Sequence, residues 1–209
     1  MAKAEAPLEA LAAYLPPGTY EPVAEYLYRY KVHLTISKER ASVLGDYRNA
    51  TRDMHHRISV NGSLNKYAFL VTLLHELAHL LTFERFGHSV SAHGKEWKAL
   101  FGGLLAQFLK QRHLFPDDIR QALERTLHNP AASSCADDDL MRVLRKYDPK
   151  DDKHCLVEEV REGDYFRTKD GRLFKRENLL RKRIRCTEVE TGKVYLFSPI
   201  YEVQRVKRD

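Results

Sequence analysis

The sequence predicts an α+β fold: a small antiparallel sheet packed on one long apolar helix, followed by a small all-β module. Three observations carry this. Val32, Leu34 and Ile36 alternate with His33, Thr35 and Ser37, the period of a half-buried strand. Phe69, Leu70, Leu73, Leu74, Leu77, Leu80 and Leu81 give the stretch from Lys66 to Phe83 an apolar residue on almost every helical face. After Leu156 the texture changes to short alternating runs separated by the turn signals Asp170-Gly171 and Thr191-Gly192-Lys193.

Taken in order, residues 6–15 read as a short helix stopped by Pro16-Pro17-Gly18. Glu21 to Tyr30 is helical again, with Val23, Tyr26, Leu27 and Tyr30 on one side. Strands follow at 32–37, 41–47 and 56–60, the last ended by Asn61-Gly62. The long helix then begins at a cap, Ser63 or Asn65. Beyond it, Trp97, Leu100, Phe101, Leu104, Leu105, Phe108 and Leu109 recur at helical spacing. Pro116-Asp117-Asp118 opens a further helix to about Leu127, and 137–147 reads as one more. Five short strands are expected between Tyr165 and Val206, forming a small sheet or a partly closed barrel. The charged stretch 148–153 sets a domain boundary near residue 150.

Composition narrows the class. A chain of 209 residues, 43% hydrophobic and 31% charged, describes a folded domain with room for a small second module. No apolar run reaches the length of a membrane span, so no membrane partner is expected. No signal peptide is legible at the N-terminus, which makes the expected location cytoplasmic. Cys135, Cys155 and Cys186 are odd in number and far apart, and they read as free thiols.

The chemistry concentrates in His75-Glu76-Leu77-Ala78-His79, in the middle of the apolar helix. Histidines four apart project from one helix face, where both imidazoles reach the same metal ion, and Glu76 lies beside them. Buried polar groups cost free energy unless paired, and a metal site pairs them. Zinc is the ion expected, because neutral imidazoles and an open fourth position suit a catalytic zinc held by three protein ligands. Phe83, Arg85 and their neighbours do not supply the H-x-x-G-x-x-H continuation of a metzincin. Glu96, His88 and His93 stand as candidates for the third ligand.

The run His75-Glu76-Leu77-Ala78-His79-Leu80-Leu81, followed by His93-Gly94-Lys95-Glu96-Trp97, resembles the SprT-like (Spartan-type) zinc metallopeptidase family. The similarity extends upstream to Gly45-Asp46-Tyr47-Arg48 and Ile58-Ser59-Val60-Asn61, and covers roughly residues 20 to 110. It implies a zincin-like core within a domain of residues 1–150, one catalytic zinc ion, and His93 as the third ligand beside His75 and His79. The chain departs from the family after that core: a basic β module over 151–209 stands where many relatives carry a cysteine-rich zinc ribbon. A substitute site built from the three cysteines with His128 or His154 is the weaker expectation, and hydrophobic packing the stronger.

The expected reaction is peptide-bond hydrolysis in a protein substrate by a zinc-activated water, with Glu76 as general base. The strand at 56–60 is the edge expected to pair with an extended substrate. Tyr47, Tyr67 and His88 are candidates to stabilise the oxyanion. Between Arg172 and Arg185 lie seven basic residues opposed only by Glu177. Lys175, Arg176, Arg181, Lys182, Arg183 and Arg185 form the expected nucleic-acid contact, and the resemblance implies DNA-associated proteins as substrates. The competing reading is a catalytically silent, metal-stabilised nucleic-acid or protein adaptor. The intact Glu76 favours the enzyme.

Overall fold

Why the long helix starts where it does is settled by one side chain. In the computed structural model, which describes residues 7–38, 43–128, 137–149, 151 and 153–206, Asn65 stands at its N-cap and accepts from the backbone N–H groups of Tyr67 and Ala68, at 3.1 and 3.0 Å. Such a cap contributes about 1 kcal/mol. The Asn65 amide also donates to the Leu144 carbonyl and to Asp148, tying this end of the helix to a later one. The helix, α2 (Lys66–Phe86), runs past the expected end and stops at Gly87, whose φ of 59° favours glycine.

Phe69, Leu70, Leu73, Leu74, Leu77 and Leu80 are fully buried, so α2 is the axis of its unit. Each such side chain contributes roughly 1.5–3 kcal/mol by leaving water. Around α2 pack α1 (Tyr20–Arg29), α3 (Lys95–Leu109), α4 (Asp117–His128) and α5 (Asp138–Arg145), in one core with Val23, Leu27, Trp97, Phe101 and Leu123. The N-terminal segment is a 3-10 helix, Leu8–Tyr14, where a short helix was expected.

Three strands form a sheet whose β2 and β3 lie against α2: β1 (His33–Ser37), β2 (Gly45–Arg48) and β3 (Arg57–Asn61). Residues 41 and 42 of the expected second strand lie outside the described residues. The sheet is mixed, where an antiparallel one was expected. Its order is β1-β3-β2, with β1 parallel and β2 antiparallel to β3. Alternation reports which face each side chain takes, and it is silent on the direction of the neighbouring strand. The order also corrects the expected substrate edge. β3 is hydrogen-bonded on both sides, with Ile58 and Val60 buried, and among the described residues the open edge beside α2 belongs to β2.

The chain divides into two compact units, Met1–Asp148 and Pro149–Asp209. The second is an antiparallel sheet of β4 (His154–Leu156), β5 (Tyr165–Arg167), β6 (Leu173–Leu180), β7 (Arg183–Glu188), β8 (Val194–Phe197) and β9 (Glu202–Arg205). The order is β4-β9-β5-β6-β7-β8, so the sheet stays open between β4 and β8. The expectation missed β4, three residues at the end of a charged stretch, and gave Arg172–Phe174 for the strand that is the longer β6. An aromatic cluster holds this unit together: Phe166 stacks on Phe174 at 5.7 Å, and Phe197 meets both edge-on. Cys155 and Cys186 are free thiols buried in the same core, and burial pushes the Cys186 thiol up to about 11. Cys135 lies outside the described residues. No helix among the described residues is long and apolar enough to cross a membrane.

Candidate metal centre

Helical spacing sets His75 and His79 one turn apart on the face of α2 that meets the N-terminus of α3. The loop Gly87–Gly94 returns the chain to that face, and Gly94 caps α3 directly after His93. The result is three imidazoles converging on one point. Their Nε2 atoms stand 3.1 Å apart for His75 and His79, and 3.4 Å apart for His75 and His93. Ligand atoms of all three lie within 4.8 Å of one another.

These distances fit a metal. Nitrogens about 2.0–2.1 Å from a tetrahedral ion are separated by about 3.3–3.4 Å from each other. Hydrogen bonding among the rings explains the cluster less well, since His75 Nε2 faces two other ring nitrogens and carries at most one proton. Burial holds His75 down to about 3 and His79 to about 4, with repulsion between the imidazoles adding to both; burial lowers His93 as well. Neutral imidazole is the form that binds a metal. The donor set, its spacing and its protonation thus fit a divalent ion such as zinc.

Aromatic packing orients the rings. Trp97, fully buried on the first turn of α3, touches all three, with centroids 4.7 Å from His75, 5.3 Å from His79 and 4.8 Å from His93. Phe101 stacks behind Trp97 and meets His75 edge-on. Among the described residues His75 Nδ1 is buried without a hydrogen-bond partner, so packing fixes this ring.

Glu76 is buried beside the histidines, and all four residues line one cleft of about 460 Å³. Gly45 of β2 makes room for the carboxylate. A Cβ there would run into Glu76 Oε1 and stand 2.8 Å from Thr72 Cγ2. Tyr47 and His88 also line the cleft. Tyr67 does not: it packs against Phe115 and Tyr147, near the other end of α2, which removes it as an oxyanion candidate. Glu96 is absent from the cleft and approaches Lys95 instead.

One feature gave no signal in the sequence. His56, 6% exposed, accepts at Nδ1 from the Tyr47 hydroxyl at 2.9 Å and from the Ala50 N–H at 3.2 Å. Its Nε2–H then donates to Glu84 on α2, at 3.2 Å. Tyr47 is therefore pinned from behind, with its ring parallel to His79 at 6.4 Å. Burial, with Glu84 adding, raises the Tyr47 phenol well above its ordinary value, so it stays protonated. A histidine before a strand and a glutamate on a helix face look unrelated until the chain folds.

Linkage gives a pH prediction. The unfolded chain takes up protons on these histidines near pH 6.5, and the folded chain does so only near 3 to 4. Between those values the unfolded state binds more protons, so stability falls as pH drops through that window. Metal-free protein is expected to show a lower urea midpoint at about pH 5 than at about pH 7.5, with the difference shrinking in His75→Phe.

The model of the SprT-like family matches residues 22–111. Over these residues the chain is similar to the SprT-like family. The SprT-like segment runs from α1 to just past α3 and contains all three histidines and Glu76. Protein SprT of Pectobacterium carotovorum is 42% identical over 65 residues, a match covering 29% of this chain and 38% of that protein. The matched segment is thus well under two thirds of that relative's length. No solved structure matches the chain.

Outside the SprT-like segment, β6, the β6–β7 hairpin and β7 carry the six basic residues expected to contact nucleic acid, and two of them have other work. Arg176 pairs with Glu162 at 3.8 Å, and Arg185 with Glu177 at 2.8 Å. Lys175, Arg181, Lys182 and Arg183 are exposed and without an ion-pair partner among the described residues.

Proposed function

We propose that this chain is a zinc-dependent endopeptidase whose active site is the cleft between α2, β2 and the Gly87–Gly94 loop. The observation that carries the reading is the convergence of His75, His79 and His93 with a buried carboxylate, Glu76, on the same cleft wall. A helix packed on a mixed sheet around that cleft supports reading the core as zincin-like. Zinc held by the three histidines would lower the pKa of a coordinated water and polarise a peptide carbonyl.

The chain's own residues supply the rest. Glu76 takes the proton from the attacking water and returns it to the leaving amine. β2 offers its open edge, Gly45 to Arg48, to an extended peptide lying along the cleft. Tyr47, held by His56, forms the wall facing the scissile bond. Trp97 and Phe101 hold the ligand rings and keep water from behind them.

Zinc-loaded protein should cleave an unfolded substrate such as denatured casein, lose that activity to a chelator and regain it with zinc. Tight zinc binding with no cleavage of any unfolded protein, nor of the chain itself, would overturn the reading in favour of a silent adaptor. Gly45→Ala provides a local test. The added methyl displaces the Glu76 carboxylate, and a misplacement near 1 Å costs on the order of 10²-fold in rate. Metal content should stay unchanged in that variant, because no ligand moves.

A further inference from the structure

Among the described residues two edges of the C-terminal sheet are open, and they differ. β4 buries Cys155 and Leu156. β8 exposes Val194 (49%) and Leu196 (58%), among the most exposed large apolar side chains described. Among the described residues, seven of the ten exposed large apolar side chains fall in this unit, which is under a third of the chain. Proteins usually guard an edge strand with charge, proline or a bulge, and β8 has none of these between Val194 and Phe197.

The backbone points the same way. The Glu188 N–H donates to the Lys193 carbonyl at 2.9 Å, so that carbonyl faces β7. Across a trans peptide the next N–H faces the opposite side, which turns the N–H and C=O of Val194 away from β7. The alternation repeats at Leu196, across from Arg185. The two residues with exposed aliphatic side chains are therefore the two whose backbone groups lack a ladder partner.

Cations bracket this edge. Lys193 precedes Val194 at one end, while Lys182 and Arg183 lie beyond Phe197 at the other, in the register of β7. All three are exposed, and none has an ion-pair partner among the described residues. We infer that β8 is a docking edge for a partner protein, which adds an extended segment with apolar residues two apart and carboxylates at both ends. Nucleic acid fits this face less well. The side chains near the cations are Leu179, Leu180, Val194 and Leu196, which offer bases no aromatic platform, and Arg172, Arg176 and Arg185 already pair with carboxylates. A second copy of the chain would bring its own cations to the same edge.

Fluorescence anisotropy of the full chain tests this with three labelled probes: the peptide EEVTVTEE, its counterpart KKVTVTKK, and a single-stranded oligothymidylate. The acidic peptide is expected to bind at least tenfold more tightly than the basic one. Leu196→Pro removes an outward N–H and leaves the β7 ladder intact, so it should weaken the acidic peptide at least tenfold while the circular dichroism and thermal midpoint stay near wild type. Lys182→Glu combined with Arg183→Glu should weaken it as well. If Leu196→Pro proves unfolded, Val194→Lys makes the same test from the side chain. Equal binding of both peptides, binding of neither, or binding of the oligonucleotide alone would overturn the proposal. The outcome is independent of whether the cleft hydrolyses peptides.

Discussion

Glu76→Gln is expected to abolish hydrolysis while leaving the metal in place. The amide keeps the shape and volume of the carboxylate against Gly45 and Thr72, so the cleft has no reason to change. What disappears is the ability to accept a proton. General-base catalysis is worth about 10²–10⁴ in rate, and the loss should fall in or beyond that range. Single-turnover cleavage and metal analysis on the same preparation check the two halves together. Activity within tenfold of wild type would remove Glu76 from the chemistry. Loss of the metal would recast it as a ligand or a structural acid.

The second large effect concerns the third ligand. His93→Ala leaves two nitrogens where three converge, and should weaken zinc by more than the roughly 10–100-fold that outer-shell changes cost. Competition with a chromogenic chelator measures this directly. His88→Ala is the informative partner, since His88 lines the same cleft and rests on Phe83, outside the three-histidine group. It should bind zinc within a few-fold of wild type. Equal losses in the two variants would mean that the loop rearranges and that His93 is not the ligand. Trp97 complicates interpretation because it supports all three rings, so a substitution there disturbs every ligand together.

How much of this was legible beforehand depended on whether a property was local. The spacing of His75 and His79 follows from helical geometry, and the apolar character of α2 predicted its burial. The cap, read as Ser63 or Asn65, is a chemical signal within a few residues, whereas the helix was expected to end at Phe83 and runs on to the stop at Gly87. The third ligand was different. Glu96, His88 and His93 are all close in sequence to α2, and no spacing rule separates them. The resemblance carried by His93-Gly94-Lys95-Glu96-Trp97 pointed to His93, and the structure groups His93 with His75 and His79 while Glu96 approaches Lys95.

The sheet shows the same division. Alternation located β1 and its half-buried face, yet β3 was expected to be an edge and is the central strand. Side-chain period carries no information about hydrogen-bond partners on either side. In the C-terminal unit the cationic run was plain in the sequence, and its pairing with Glu162, Asp170 and Glu177 was not.

By itself, then, the sequence determined a buried helix bearing two histidines and a glutamate on a shared side, and a separate β unit after residue 150. Tertiary structure alone decided that Gly45 admits Glu76, that His56 and Glu84 pin Tyr47, and that β2 and β8 are open edges among the described residues. The physical reason is range. Helical phase and capping act within a turn or two of the chain, whereas ligand convergence and strand order arise from packing between segments distant in sequence, which no local pattern encodes.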